Sequence, residues 1–207
     1  MFAKFLSLDK EKQDRIINAA MKEFAQKGYD KASTNEMVKE AGISKGLLFH
    51  YFQNKKQLYF FLYDHMTQLL VEQIEEKVDK EERDLFIRVR QMALVKLEIF
   101  QMYPELFNFA KSIFMETSAE VIHEVGQRGK ELLESYFKDF KGDIDFSKFK
   151  KGIDVHKAFN IIAWTLEGFG FQQQKKVQSL SIENLDIEEA LKEMDEYLDM
   201  LRNAFYE

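Results

Sequence analysis

Cysteine is absent from the 207 residues, which excludes disulfides, thiolate catalysis and any cysteine-ligated zinc or iron–sulfur centre. One proline (Pro104) and nine glycines leave few chain breakers, and no segment alternates apolar and polar residues between turn signals. The fold class this implies is all-α. No stretch approaches the roughly 20 uninterrupted apolar residues of a membrane span. The N-terminal MFAKFLSL is too short for a signal peptide and lacks a cleavage pattern. These absences lead us to expect a cytoplasmic protein with no membrane partner. Catalytic and metal motifs are missing too. His123-Glu124 is not followed by a second histidine at zincin spacing, Gly168-Phe169-Gly170 lacks a strand before it, and no nucleophile elbow occurs. The charged run ending at Asp84 shows no metal spacing and reads as a solvated helix end and loop. The expectation is no enzyme, no cofactor and no metal.

Charge is present but unevenly placed. The chain carries a net charge of -6, yet residues 1–63 hold eleven Lys/Arg against seven Asp/Glu, leaving 19 against 29 beyond them. A small basic module joined to a larger acidic body points to a polyanionic partner, unless the surface is merely uneven.

Helical periodicity organises the basic part. Asp9 or Ser7 caps a helix with Ile16, Ala20 and Phe24 inward, stopped by Gly28. Ser33 three residues before Glu36 reads as a capping box opening a short helix that ends at Gly42. Ser44 caps a third, from Lys45 to Phe52. Two short helices joined by a tight glycine turn have the form of a helix-turn-helix, or of a generic three-helix bundle, so surface chemistry must decide. No Asp or Glu occurs between Glu40 and Asp64, while Lys45, Lys55 and Lys56 do. With Ser44 at the cap, the free N–H groups of the first turn attract phosphate, and Gly46 lets a backbone come close. Leu48 and Phe52 should face the bundle, leaving Lys45, Phe49 and His50 for a major groove.

The segment FAQKGYDKASTNEMVKEAGISKGLLFHYFQNKKQLY resembles the DNA-binding domain of the TetR (tetracycline-repressor) family of bacterial regulators. Gly28-Tyr29, Ser33/Thr34, Ala41-Gly42-Ile43-Ser44, Tyr51-Phe52, Asn54-Lys55 and Leu58 carry the likeness. It implies DNA contacts from Lys45, Gly46, Phe49, His50 and Tyr51, with Ser33 or Thr34 and Lys55 on phosphates. Members often carry tyrosine where Phe49 stands, and a basic tail where this chain's is apolar. The implied domains are residues 1–54, a helix-turn-helix DNA-binding domain, and 55–207, a helical ligand-binding and dimerisation domain whose first helix is the connector.

In the acidic body, Pro104 starts a helix, and another spans about 118–140 with Val121, Val125, Leu132, Leu133, Tyr136 and Phe137 along one side; a loop runs from Gly142 to Gly152. The last two helices carry seams: Val155, Phe159, Ile162, Leu166 and Phe169, then Ile187, Leu191, Met194, Leu198, Leu201 and Phe205. Such seams serve an intramolecular core or half of a dimeric four-helix bundle. We expect dimerisation through Phe159, Ile162, Leu166, Leu191, Met194, Leu198, Leu201 and Phe205. Aromatic residues exceed what a tidy core needs, which suggests an apolar pocket with Phe86, Phe100, Tyr103, Phe107, Phe114, Trp164 and Phe171 on its walls. Lys96 and Glu167 would decide whether an anionic or a cationic ligand is favoured. The resulting expectation is a homodimeric repressor that binds double-stranded DNA at a palindromic operator and is released by a small lipophilic ligand. The alternative is an architectural DNA-binding or interaction protein without an effector.

Overall fold

The apolar tail folds as a short helix, α1 (Ala3–Leu6), in which Phe5 is fully buried. Its ring lies 5.8, 4.8 and 5.2 Å from those of Tyr51, Phe52 and Phe61. Asp9 then opens α2 (Lys10–Lys31) by accepting the Lys12 N–H at 2.8 Å, and Ile16, Ile17, Ala20, Met21 and Phe24 are buried along one face. Gly28, with φ 68° and ψ 172°, bends this helix in a backbone region essentially reserved for glycine. The expected stop is therefore a bend, followed by one more turn before Ala32.

The other helices are α3 (Thr34–Ala41), α4 (Lys45–Phe52), α5 (Lys55–Lys77), α6 (Leu85–Met102), α7 (Pro104–Phe114), α8 (Ile122–Phe140), α9 (Val155–Lys176) and α10 (Ile187–Phe205). The computed structural model describes residues 2–140, 144–176 and 187–207, and no strand forms among them. The backbone at Gly142 and the side chains of Leu133, Tyr136, Phe137 and Ile187, on which expectations were placed, lie outside the described residues.

The chain divides into two compact units. One holds Met1–Glu72 and Met102–Arg128, the other Gln73–Gln101 and Gly129–Glu207. In the first, α7 packs along α2, and its Phe109 is fully buried 6.3 Å from the Phe24 ring and 5.4 Å from that of Tyr59. In the second, Leu85, Phe86, Ile144, Phe149, Ala158, Ile162, Met194, Leu198 and Tyr206 form one core.

Three expectations change in the second unit. Asp84, read as part of a solvated run, is buried. It caps α6 by accepting the N–H groups of Phe86 and Ile87, and it pairs with Arg202 at 2.7 Å and Lys148 at 3.0 Å. The stretch read as a loop up to Gly152 contributes Ile144 and Phe149 to the core, and Phe149 bridges to Tyr206 near the C-terminus. The seam residues expected at a dimer interface are used inside the protomer: Ile162, Met194 and Leu198 are buried, with Phe159, Leu166, Leu191, Leu201 and Phe205 packed against them. Among the described residues, the large apolar side chains left exposed on these two helices are Ile161, Trp164, Tyr197 and Met200.

Candidate nucleic-acid interface

Helices α3 and α4 are joined by a turn that the sequence dictates residue by residue. Gly42 takes the left-handed conformation, φ 67° and ψ 37°, and the Ile43 N–H closes back on Val38 O at 3.0 Å, a Schellman stop. Ser44 follows in extended backbone, and its hydroxyl accepts the Leu47 N–H at 3.2 Å. Lys45, Gly46 and His50 are exposed, Phe49 is half-buried, and the Lys45 ammonium stands 5.9 Å from the Phe49 ring centroid. Leu48 and Phe52 are buried as their spacing requires. Tyr51, expected among the DNA contacts, is buried too, with its ring edge against Phe5.

The capping box at Ser33 does not form. Its hydroxyl makes no capping bond, and its N–H donates instead to Glu23 on α2 at 2.9 Å. Ser33 and Thr34 both remain half-buried at the start of α3.

At the start of α5, Asn54 accepts the Gln57 N–H at 2.8 Å. Lys55 donates to Asp30 O at 3.1 Å over the Tyr29 ring, 4.8 Å away, and Lys56 faces Glu124 at 3.7 Å. Tyr29, Asp30, Asn54, Lys55, Lys56 and Glu120 line a cleft of about 280 Å³. The stretch free of carboxylates in sequence is thus bordered in space by acids at this end, while the first turn of α4 keeps its cationic character.

Residues 16–60, which contain these helices, match the family model described as bacterial regulatory proteins, tetR family. Over that segment the chain carries a TetR-type DNA-binding domain. It is 26% identical over 157 residues to the fatty acid metabolism regulator protein of Bacillus subtilis (strain 168), covering 74% of this chain and 78% of that protein. A TetR family transcriptional regulator from Chloroflexus aurantiacus has a similar fold, with TM-score 0.68 and 21% identity over 99% of this chain and 98% of that one. So does the regulator FadR from Bacillus subtilis, solved in complex with stearoyl-CoA: TM-score 0.65 and 20% identity over 91% and 96%. The protein is a transcriptional regulator with a DNA-binding helix-turn-helix, and among the described residues no helix is long and apolar enough to cross a membrane.

The TetR resemblance also implied a ligand pocket, and the residues expected to line it fall in both units. Tyr103, Phe107 and Phe114 belong to the first, where Phe107 is buried and the other two are exposed. In the second, Phe86 is core rather than pocket wall, stacked edge-on to Tyr206 at 5.0 Å. Phe100 is buried, Trp164 exposed and Phe171 half-buried.

Lys96 and Glu167 are brought within each other's electrostatic influence. Lys96 shares a side of α6 with Met92, which packs on the core, and with buried Ile99 and Phe100; its ammonium is 5.7 Å from the Phe100 ring centroid. Burial pushes its pKa down, opposed by the Glu167 charge, and burial pushes the Glu167 carboxyl up, opposed by Lys96. Yet both residues keep exposed surface. A Cβ built on neighbouring Gly168 or Gly170 meets nothing within 4 Å, in keeping with open space along α9.

Proposed function

We propose that the protein is a homodimeric repressor that grips a palindromic operator and releases it when a small lipophilic effector binds. The observation that carries the DNA reading is the first turn of α4: a serine cap, exposed Lys45 and Gly46, and no acid within the turn. In this reading residues 1–54 form the reading head, with Ser33 or Thr34, Ser44 and Lys55 on phosphates and Lys45, Gly46, Phe49 and His50 entering the major groove. Tyr51 serves mainly to seat the helix. Residues 55–207 bind the effector and dimerise.

The dimer contact assigned here uses Ile161 and Trp164 on α9 with Tyr197 and Met200 on α10, the apolar residues that the protomer leaves uncovered. Two copies then set their recognition helices about 34 to 36 Å apart, one turn of DNA.

The effector class follows from two supports. The FadR relative is solved with stearoyl-CoA, and Lys96 and Glu167 offer a cation and an acid beside apolar helix faces. A long acyl chain carrying a polar, oxygen-rich end suits both. Binding of duplexes selected from a random pool, at several salt concentrations and with stearoyl-CoA added, tests the whole reading. Salt-sensitive preference for a two-fold symmetric site and its loss on ligand addition are expected. Uniform affinity for all duplexes, with no discrete footprint, would instead mark an architectural protein.

A further inference from the structure

The bend at Gly28 turns the Tyr29 N–H away from the helical ladder, and an orphaned buried donor is costly. The loop between α7 and α8 supplies its partner. Glu116 Oε2 accepts the Tyr29 N–H at 2.8 Å, while Oε1 accepts the N–H groups of Thr117 and Ser118 at 2.9 and 2.8 Å. The Ser118 hydroxyl donates to Asp30 Oδ1 at 2.6 Å, and the Tyr29 hydroxyl donates to Glu120 Oε1 at 2.7 Å. Burial, then the bond to Glu120, pushes the Tyr29 phenol up, so it stays a donor. Alternate residues of one loop thus hold two consecutive residues of the reading head, all within the first unit. On the far side of the bend, Asp30 O and the Tyr29 ring hold Lys55.

We infer that Glu116 is a positioning residue for operator recognition: it pins the Gly28–Asp30 bend, and with it Lys55, to the end of α7. The inference rests on the proposed effector-controlled DNA reading. A charge-assisted carboxylate bond to backbone is short and directional, and α7 is packed against α2, so a displacement of α7 is passed to the bend rather than absorbed in side-chain motion. Lys55 then meets its phosphate in or out of register.

The test compares wild type, Glu116→Ala and Tyr29→Phe on a duplex selected by the wild-type protein and on an unrelated duplex, with and without stearoyl-CoA, at a temperature where melting curves show every protein folded. Glu116→Ala should lose about tenfold in affinity for the selected duplex, the middle of the range for residues in a coupling network. Its affinity for the unrelated duplex should stay within about twofold, because the phosphate-contacting lysines remain. A merely structural role would weaken both duplexes together. Where stearoyl-CoA releases the wild type, the ratio of Kd values with and without it should fall toward one in Glu116→Ala. Unchanged selected-duplex affinity and an unchanged ratio overturn the inference. If stearoyl-CoA does not release the wild type, the effector reading fails alone, and the tenfold loss still decides the role of Glu116. Should Glu116→Ala not fold, Tyr29→Phe, which removes only the Glu120 bond, must weaken selected-duplex binding by roughly threefold; no change overturns the inference equally.

Discussion

Replacing Gly46 with alanine separates a glycine kept for DNA from one that is incidental. Gly46 is the second residue of α4, exposed, and a Cβ built on it meets nothing within 4 Å. Nothing in the free protein opposes the substitution. Helix propensity favours it by up to about 1 kcal/mol in a helix interior, and by about half of that in a first turn. Urea unfolding should therefore show stability unchanged or raised by about 0.5 kcal/mol. Operator binding should move the other way. If the backbone at this turn lies against a phosphate or sugar, a methyl group forces the two apart and weakens the contacts of the whole turn. We expect a loss of about 1.4 to 2.8 kcal/mol, ten- to a hundredfold in Kd, measured by fluorescence anisotropy at one fixed salt concentration. The opposed signs are the signature. Wild-type operator affinity in Gly46→Ala would refute the close approach, and a loss of stability would refute the open first turn.

Lys55→Ala should weaken binding to every duplex alike and reduce the slope of log K against log salt by about one, as a phosphate contact does. Gln53 has φ 63° and ψ −53°, a strained turn closed by the Asn54 N–H on Phe52 O at 2.7 Å. Gln53→Gly should raise stability by about 1 kcal/mol in urea melts, by relieving strain of about 1–3 kcal/mol at the cost of glycine's greater chain entropy. Asp84→Ala removes the carboxylate shared by Lys148 and Arg202, both of which still reach solvent, and uncaps α6, so it should cost about 1–3 kcal/mol, read as a fall in the urea midpoint. Met200 is 69% exposed, so Met200→Glu should leave folding intact yet yield monomers in sedimentation; a dimer of unchanged strength would move the interface elsewhere.

What was legible in the sequence was local. Asp9, Gly42 and Ser44 act on residues within five positions of themselves, and each was readable from its neighbours, while Gly28 was readable as a break but not as a bend with a further turn beyond it. The Ser33 capping box was local as well, but Glu23, ten residues earlier, claims the Ser33 N–H that Glu36 was expected to accept. Asp84 looked solvated because its partners lie 64 and 118 residues away. The acids around Tyr29 were invisible for the same reason, being 87 and 91 residues distant. Lys96 could be found because a lysine on an apolar stripe breaks the pattern that surrounds it; its interaction with Glu167 needed the packing of the second unit.

The last two helices show the limit of periodicity more sharply. A repeat of four and three identifies a stripe that must be covered, but not which surface covers it. On α9, Ile162 and Leu166 turn into the protomer, while Ile161 sits one residue, about 100°, around the helix, and Trp164 lies further along on the uncovered side. On α10, Met194 and Leu198 face inward while Tyr197 and Met200 do not, and the Tyr197 ring lies 5.7 Å from that of Phe169. A lone amphipathic helix would put charge on that second side. Here Asp195 is held on α10 by a two-pronged bond from Arg90, so one acid of that helix is already neutralised within the protomer. Helices that are apolar in two directions suit the middle of a four-helix assembly better than the edge of a two-helix layer. The dimer expectation therefore shifts around each helix from the regular seam to the irregular aromatic side.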